Sequence, residues 1–273
     1  MNRFDTYATE QIEAMLEAGR EVLECHLVLA KTGDNVVGQL LPAEGKFYEF
    51  DHCPAGDIFD DETHSQYYYH AHREGEHGHF HVFMREEGMP GDCKPVKQSK
   101  CEAMDERDDR ICHLIAISMD AQGIPIRLFT TNRWVTGENW YAARDVARMV
   151  DRFHIGHAQP SWPVNRWVSA MLRLFRPQIG ELLVERDAVV AKWRSENSPA
   201  DIFENRDLDL PSTIDISADE QISALETVLA ERLKAESPEG AGNTPKGRNP
   251  RPQKRGIGPG RRKPARQQTG IAV

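Results

Sequence analysis

Histidines are concentrated in one short stretch of this chain. Six of the 11 histidines fall between positions 64 and 81. They include His70-x-His72 and His77-x-His79-x-His81. Because successive side chains of a strand alternate between its faces, each of these sets would share one face of a strand. Imidazole nitrogens are ligands of zinc, iron, copper and nickel, so this spacing indicates a metal site.

The turn between the two sets decides whether they meet. Residues 66–73 and 77–85 are rich in aromatics and alternate in character, which predicts a hairpin. A two- or four-residue turn around Glu74 and Gly75 places 72 opposite 77 and 70 opposite 79, with all five histidines on one face. A three- or five-residue turn would split them. We favour the even turn because the other face then suits a core. That face carries Tyr67, Tyr69, Ala71, Phe80, Val82 and Met84.

Histidines on opposed strands can converge on a single ion, because directly opposed Cβ atoms are about 4.5–5.5 Å apart. Three histidines and one open position are typical of catalytic zinc. We predict a divalent transition metal, foremost zinc or iron, bound by members of one set. The set is His70, His72, His77, His79 and His81. The alternative is a solvated polar face, where aligned histidines would repel one another when protonated below about pH 6.5.

Three further residues are candidates for catalysis. Glu76 and Glu138 are predicted proton carriers. Arg133 is predicted to orient an anionic substrate, since it follows a predicted strand and loops at strand ends commonly carry function. A surface ion pair between Arg133 and Glu138 is the alternative. His113, on an apolar strand, is interpreted as a hydrogen-bonded core residue that could reach the site if its strand neighbours the hairpin.

The remaining patterns predict an α+β fold, with a small antiparallel sheet packed against an N-terminal helix and C-terminal helices. At least four strands are expected within about residues 66–131. The predicted helices cover 9–31, 142–153, 164–175, 178–194 and 218–235, the last opened by a capping box at Ser217 to Glu220. Residues 47–63 are expected to form an ordered loop with at most short strands, 86–110 a polar loop, and 196–215 an extended connector.

Charge divides the chain near position 237. Residues 1–236, predicted to form a single domain, carry 25 basic and 42 acidic residues, whereas 237–273 carry nine basic and one acidic. The second segment is rich in glycine and proline and has no aromatic residue, so we expect a disordered basic tail. The acidic body disfavours nucleic acid and anionic membranes, which leaves the tail as the place of weak contact with either. A tether without any partner is the alternative.

The sequence predicts a cytoplasmic protein. It has no run of about 18 apolar residues that would predict a transmembrane helix, and its N-terminus lacks the apolar region of a secretory signal. The five cysteines contain no CxxC pair, and we expect reduced thiols. Phosphate-loop, HExxH and GxSxG motifs are absent.

Four phrases resemble an uncharacterised bacterial family that is known only as a domain of unknown function. They are SQYYYHAH at 65–72, EHGHFH at 76–81, LFTTNRWVTGE at 128–138 and SWPVNRW at 161–167. The resemblance covers roughly residues 45–215. It implies a bacterial single-domain protein and brings no activity with it.

The function that these patterns favour is a metal-dependent enzyme acting on a small-molecule substrate, with hydrolysis and oxygenation both open. A second hypothesis is a non-catalytic metal or haem binder with every coordination position filled. A third is an interaction protein whose histidine face and tail contact a partner without any metal. Azide or cyanide altering a metal spectrum would reveal an open position and separate the first hypothesis from the second.

Overall fold

The structure is a computed structural model that describes residues 3–41, 51–96, 110–197 and 201–236. Within these ranges the chain is α+β, as predicted. Its strands are β1 (Cys53–Phe59), β2 (Ser65–His70), β3 (Gly78–Arg85), β4 (Ile111–Met119), β5 (Pro125–Thr130) and β6 (Ser212–Asp215). Its helices are α1 (Thr9–Ala30), α2 (Arg133–Thr136), α3 (Ala143–Val150), α4 (Trp162–Leu174), α5 (Arg176–Glu196) and α6 (Ala218–Glu236). The predicted tail at 237–273 lies outside the described residues.

All six strands form one antiparallel sheet in the order of the chain. The sequence predicted β2 to β5, but β1 lies in a segment expected to be a loop and β6 in the expected connector. β1 contains Pro54, Gly56 and an Asp57 with a φ of 60°, which are features that strands usually avoid. β1 therefore pairs with β2 despite the low strand propensity of its own residues. The register of this pairing is interrupted between Cys53 and Ile58.

The hairpin of β2 and β3 has the register that the even turn predicted. Tyr68 lies opposite His81, Tyr69 opposite Phe80, and His70 opposite His79. In the turn, Gly75 has a φ of 85°, in the left-handed region that favours glycine. The turn and the alternation of side chains thus specify the same register.

The sheet separates the apolar core from the histidines. On one face, Tyr67, Phe80 and their neighbours join the core formed with the helices. Phe80 and Trp167 of α4 have ring centroids 5.2 Å apart. The Tyr67 hydroxyl donates to Asn165 Oδ1 at 2.6 Å, and Asn165 Nδ2 donates to the His157 carbonyl at 2.8 Å. This buried amide fixes β2 against α4 while satisfying its own hydrogen bonds.

Two further features bear on the predicted compartment. None of the helices in the described ranges is long and apolar enough to cross a membrane. The cysteines in those ranges are free thiols, namely Cys25, Cys53, Cys93 and Cys112. The cytoplasmic location stays a prediction.

A methyl group at Gly78 should disturb the hairpin. A Cβ at this position would lie 2.4 Å from the Tyr69 hydroxyl oxygen and 2.6 Å from the His70 carbonyl oxygen. Because the carbonyl belongs to the paired strand, relief requires moving backbone. Gly78→Ala should therefore lower the free energy of unfolding by about 1–3 kcal/mol, measured by urea denaturation. Gly91→Ala, whose Cβ would meet nothing within 4 Å, is the matched control, and equal losses would contradict this account.

Candidate metal centre

Three histidines of the hairpin converge on one point. His70 ends β2, His72 follows it, and His79 lies near the start of β3. The ring centroids of His70 and His79 are 4.5 Å apart, and that of His72 is 4.7 Å from His70 and 5.0 Å from His79. One ring nitrogen from each lies within 4.8 Å of the other two. This group could hold a metal ion.

The facing nitrogens are close to the separation that a shared ion requires. Nε2 of His70 and Nε2 of His79 are 2.8 Å apart. Two imidazole nitrogens at about 2.0–2.1 Å from one ion are roughly 2.9–3.4 Å apart, depending on the coordination angle. If the rings of His70 and His79 moved apart by about half an ångström or less, an ion could bind between their Nε2 atoms. The ring of His72, just beyond the end of β2, would be the third ligand.

Burial shields the trio from solvent and favours the neutral form of His70 and His72. His79 is 0% exposed and His70 8% exposed, so the interpretation as a solvated polar face is wrong. Burial, together with the neighbouring His79 and His72, lowers the pKa of His70 to about 3. Burial likewise lowers the pKa of His72. Neutral imidazole is the form that coordinates a metal, so His70 and His72 are in the competent state at neutral pH.

Glu76 fixes the orientation of His79. Its carboxylate accepts a hydrogen bond from Nδ1 of His79, and both side chains are buried. Burial alone would raise the pKa of Glu76, but its interactions with His79 and the positive charge of Arg73 outweigh burial, so the pKa is lowered. The ionised carboxylate selects the tautomer in which Nε2 of His79 is the acceptor. Carboxylate–histidine pairs of this kind orient ligands in metal sites.

The other two predicted ligands are not among the converging nitrogens: His77 faces away, and His81 borders the trio but is engaged elsewhere. His77 precedes β3, and its Nδ1 is 2.7 Å from the hydroxyl of Tyr69, which belongs to the core face. His77 therefore does not share the face predicted for it, because strand pairing ends at His70 and His79. His81 does share that face, with its ring centroid 4.7 Å from His79, but its Nδ1 is 2.9 Å from Nε2 of His113.

A second layer of polar groups lies behind His81. His113 of β4 contacts His81 through Nε2, and its Nδ1 is 3.2 Å from the Thr131 hydroxyl. It is thus a hydrogen-bonded buried histidine that also reaches the cluster. Its backbone N–H donates to Glu138 at 2.6 Å. Burial raises the pKa of Glu138 to about 8, more than nearby Arg186 lowers it. The proton-carrier role of Glu138 stays a prediction.

Arg133 contacts carboxylates of another segment. Its guanidinium ion-pairs with Glu204, is 3.7 Å from Asp201 and lies 5.7 Å from the ring centroid of Phe203. Glu138, the partner in the alternative interpretation, is 1% exposed, so the two do not form a surface pair. The anion-orienting role of Arg133 stays a prediction.

Two neighbours of the trio escaped sequence reasoning. His52 stacks on Tyr68 with centroids 3.6 Å apart, lies 5.8 Å from the ring of His70, and has Nδ1 2.7 Å from Asp57 Oδ1. Arg73 lies with its guanidinium carbon 5.2 Å from the ring centroid of Phe129. His52 carries no spacing signal because it reaches the site through tertiary contacts. For Arg73 the one available signal was its position directly after His72.

Comparison with known families agrees with the four sequence phrases. A family model described as "Domain of unknown function (DUF6969)" matches residues 16–216. The chain belongs to this family. The match includes all six strands and the histidine hairpin, so the predicted resemblance to an uncharacterised domain family is confirmed. No curated protein and no solved structure matches the chain.

Glu138→Gln should remove one pH dependence of stability. Glutamine keeps an oxygen that can accept from the His113 N–H but does not titrate. The folded-state pKa of about 8 lies above the ordinary value of 4.5. A pKa raised by folding gives stability that is fully present below the unfolded value and is lost as pH rises through the folded one. The unfolding free energy of the wild type, relative to the variant, should therefore fall as pH rises from about 4.5 to about 8.

Urea unfolding of chelator-treated protein at several pH values measures this difference. Glu185→Gln, at an exposed glutamate, is the control and should show no such trend. Parallel pH profiles for wild type and Glu138→Gln would mean that Glu138 is already ionised in the folded protein.

Proposed function

We propose that this protein is a metal-dependent enzyme whose centre is a divalent transition metal bound by His70, His72 and His79. The observation that carries the proposal is the convergence of these three imidazoles. Their burial and the carboxylate behind His79 support it, since a mere surface cluster would need neither. Three histidine ligands also leave a coordination position for substrate, as in catalytic zinc sites.

Zinc and iron are the metals that we propose, because both accept imidazole. A bound ion would supply Lewis acidity to a substrate or water oxygen. Hydrolysis and oxygenation are both compatible with three histidines, so the reaction type follows from the metal that the protein retains.

We assign proton transfer to His52. Glu76 is already engaged by His79, and Glu138 lies behind His113. His52 is 41% exposed at its side chain, and its Nδ1 contacts Asp57. A carboxylate on Nδ1 makes Nε2 the basic nitrogen of the ring, as a general base requires. Its stacking on Tyr68 holds this imidazole beside His70.

Metal analysis of the full-length protein, purified without a histidine tag or chelator, tests the proposal. The wild type should hold about one equivalent of one metal. The double variant His70→Ala/His79→Ala should lose it, because two ligands are removed. His72→Ala, at a half-buried position, should weaken binding with less disturbance of the fold. Elemental analysis gives the stoichiometry, and circular dichroism verifies folding.

His154→Ala removes an exposed histidine outside the cluster and is the matched control. Metal-free wild type that does not take up zinc or iron, or a folded double variant that retains its metal, would refute the centre. Azide that leaves the spectrum of a cobalt-loaded protein unchanged would instead favour a non-catalytic binder with its coordination complete.

Glu76→Gln should weaken metal binding without abolishing it. The variant loses the negative charge that orients His79, and removal of such a partner typically costs 10–100-fold in affinity. Competition with a chromophoric chelator measures the dissociation constant. Glu74→Gln removes the same charge from an exposed position in the same turn. Equal weakening in both variants would mean that only the net charge matters.

A further inference from the structure

We propose that the substrate of this centre is anionic and that Arg73 binds its negatively charged oxygen. The inference rests on the proposed function, because it names the substrate class of the same site. A carboxylate and a phosphate present the same chemistry to a guanidinium, and the experiment below distinguishes them.

Arg73 is positioned beside the trio by the hairpin and by β5. It directly follows His72, and its guanidinium carbon lies 5.2 Å from the ring centroid of Phe129. The same ring packs against His79 in a T-shaped arrangement, with centroids 5.2 Å apart. Phe129 therefore contacts both the guanidinium and a ligand imidazole.

The guanidinium is only partly satisfied by the protein. Nη2 donates to Asp209 Oδ2 at 2.5 Å. Nε is buried and has no hydrogen-bond partner in the described part of the chain. A buried donor without a partner is unfavourable, and more so when it is charged, so such groups call for an explanation. An oxygen of a bound anion would supply the partner.

A divalent ion held by the trio would add positive charge to a buried site. A bound anion would offset that charge, in a region where unpaired charge is costly. Arg73 would then set the orientation of the anion by a directed N–H, which a metal ion alone does not provide.

A purely structural role is the competing explanation, in which Arg73 only ties the hairpin to Asp209. The two roles differ in what Asp209 does. If the ion pair alone matters, Arg73→Gln and Asp209→Asn should have the same effect on the site. If Arg73 binds the anion, removal of the Asp209 charge should leave anion binding intact or strengthen it, because the guanidinium loses its compensating carboxylate.

The test uses cobalt-loaded full-length protein, titrated with inorganic phosphate and, separately, with succinate at constant ionic strength. The visible absorption of cobalt reports anion binding, and cobalt content is measured for every variant. For the anion that binds, Arg73→Gln should weaken binding roughly 10- to 100-fold, as expected for one charge-assisted hydrogen bond. Asp209→Asn should bind at least as tightly as the wild type. Arg73→Lys, which keeps the charge but loses the Nε donor, should be intermediate.

The outcomes distinguish failure of the metal centre from failure of this inference. Cobalt that fails to bind the wild type overturns the metal centre and this inference together. Cobalt at one equivalent with no response to either anion overturns this inference alone. Equal anion affinity in the wild type and Arg73→Gln would also overturn this inference. An equal loss of anion affinity in Arg73→Gln and Asp209→Asn would do the same. Arg127→Gln, which removes an exposed arginine paired with Asp215, controls for general charge effects.

Discussion

The pairing of His70 with His79 across β2 and β3 is the constraint on which the candidate site depends. A slip of one residue would turn every side chain of β3 to the other face of the sheet. His79 and His81 would enter the apolar core, and Phe80 would leave it. The register is stabilised from both faces at once, by Phe80 packing on Trp167 and by the contact between the two histidines.

The cluster also shows how a group of imidazoles can be buried with their polar atoms hydrogen-bonded. Each ring named here has a hydrogen-bonding neighbour: His70 with His79, His79 with Glu76, and His81 with His113. Such a network satisfies the polar atoms of the interior, where an unsatisfied group would be costly. At its centre, Nε2 of His70 and Nε2 of His79 face each other at 2.8 Å, so one of them carries the proton of the hydrogen bond. In the proposed centre a cation would take the place of that proton.

The sequence was sufficient to predict the elements in which apolar and polar side chains follow a regular period. Alternation in 66–85 was enough for the hairpin, its register and the histidine face. Helical spacing was enough for α1 and for α3 to α6, but not for the four-residue α2, which lies where a loop was expected. It missed β1, whose pairing overrides Pro54 and Gly56, and it misplaced His77 because alternation does not reveal where pairing stops. Arg73 and His52 were out of reach, since tertiary contacts with Phe129 and Tyr68 bring them to the trio.

The division of β3 into a core face and a histidine face has a consequence for the evolution of this protein. In β3, even positions such as Phe80 and Val82 belong to the packed core, whereas His79 and His81 point to the other side. Substitutions at the odd positions can therefore change the polar face of the sheet while Phe80 and Val82 keep their packing in the core. The alternating pattern lets the two faces of β3 vary separately, through alternate codons of one short segment.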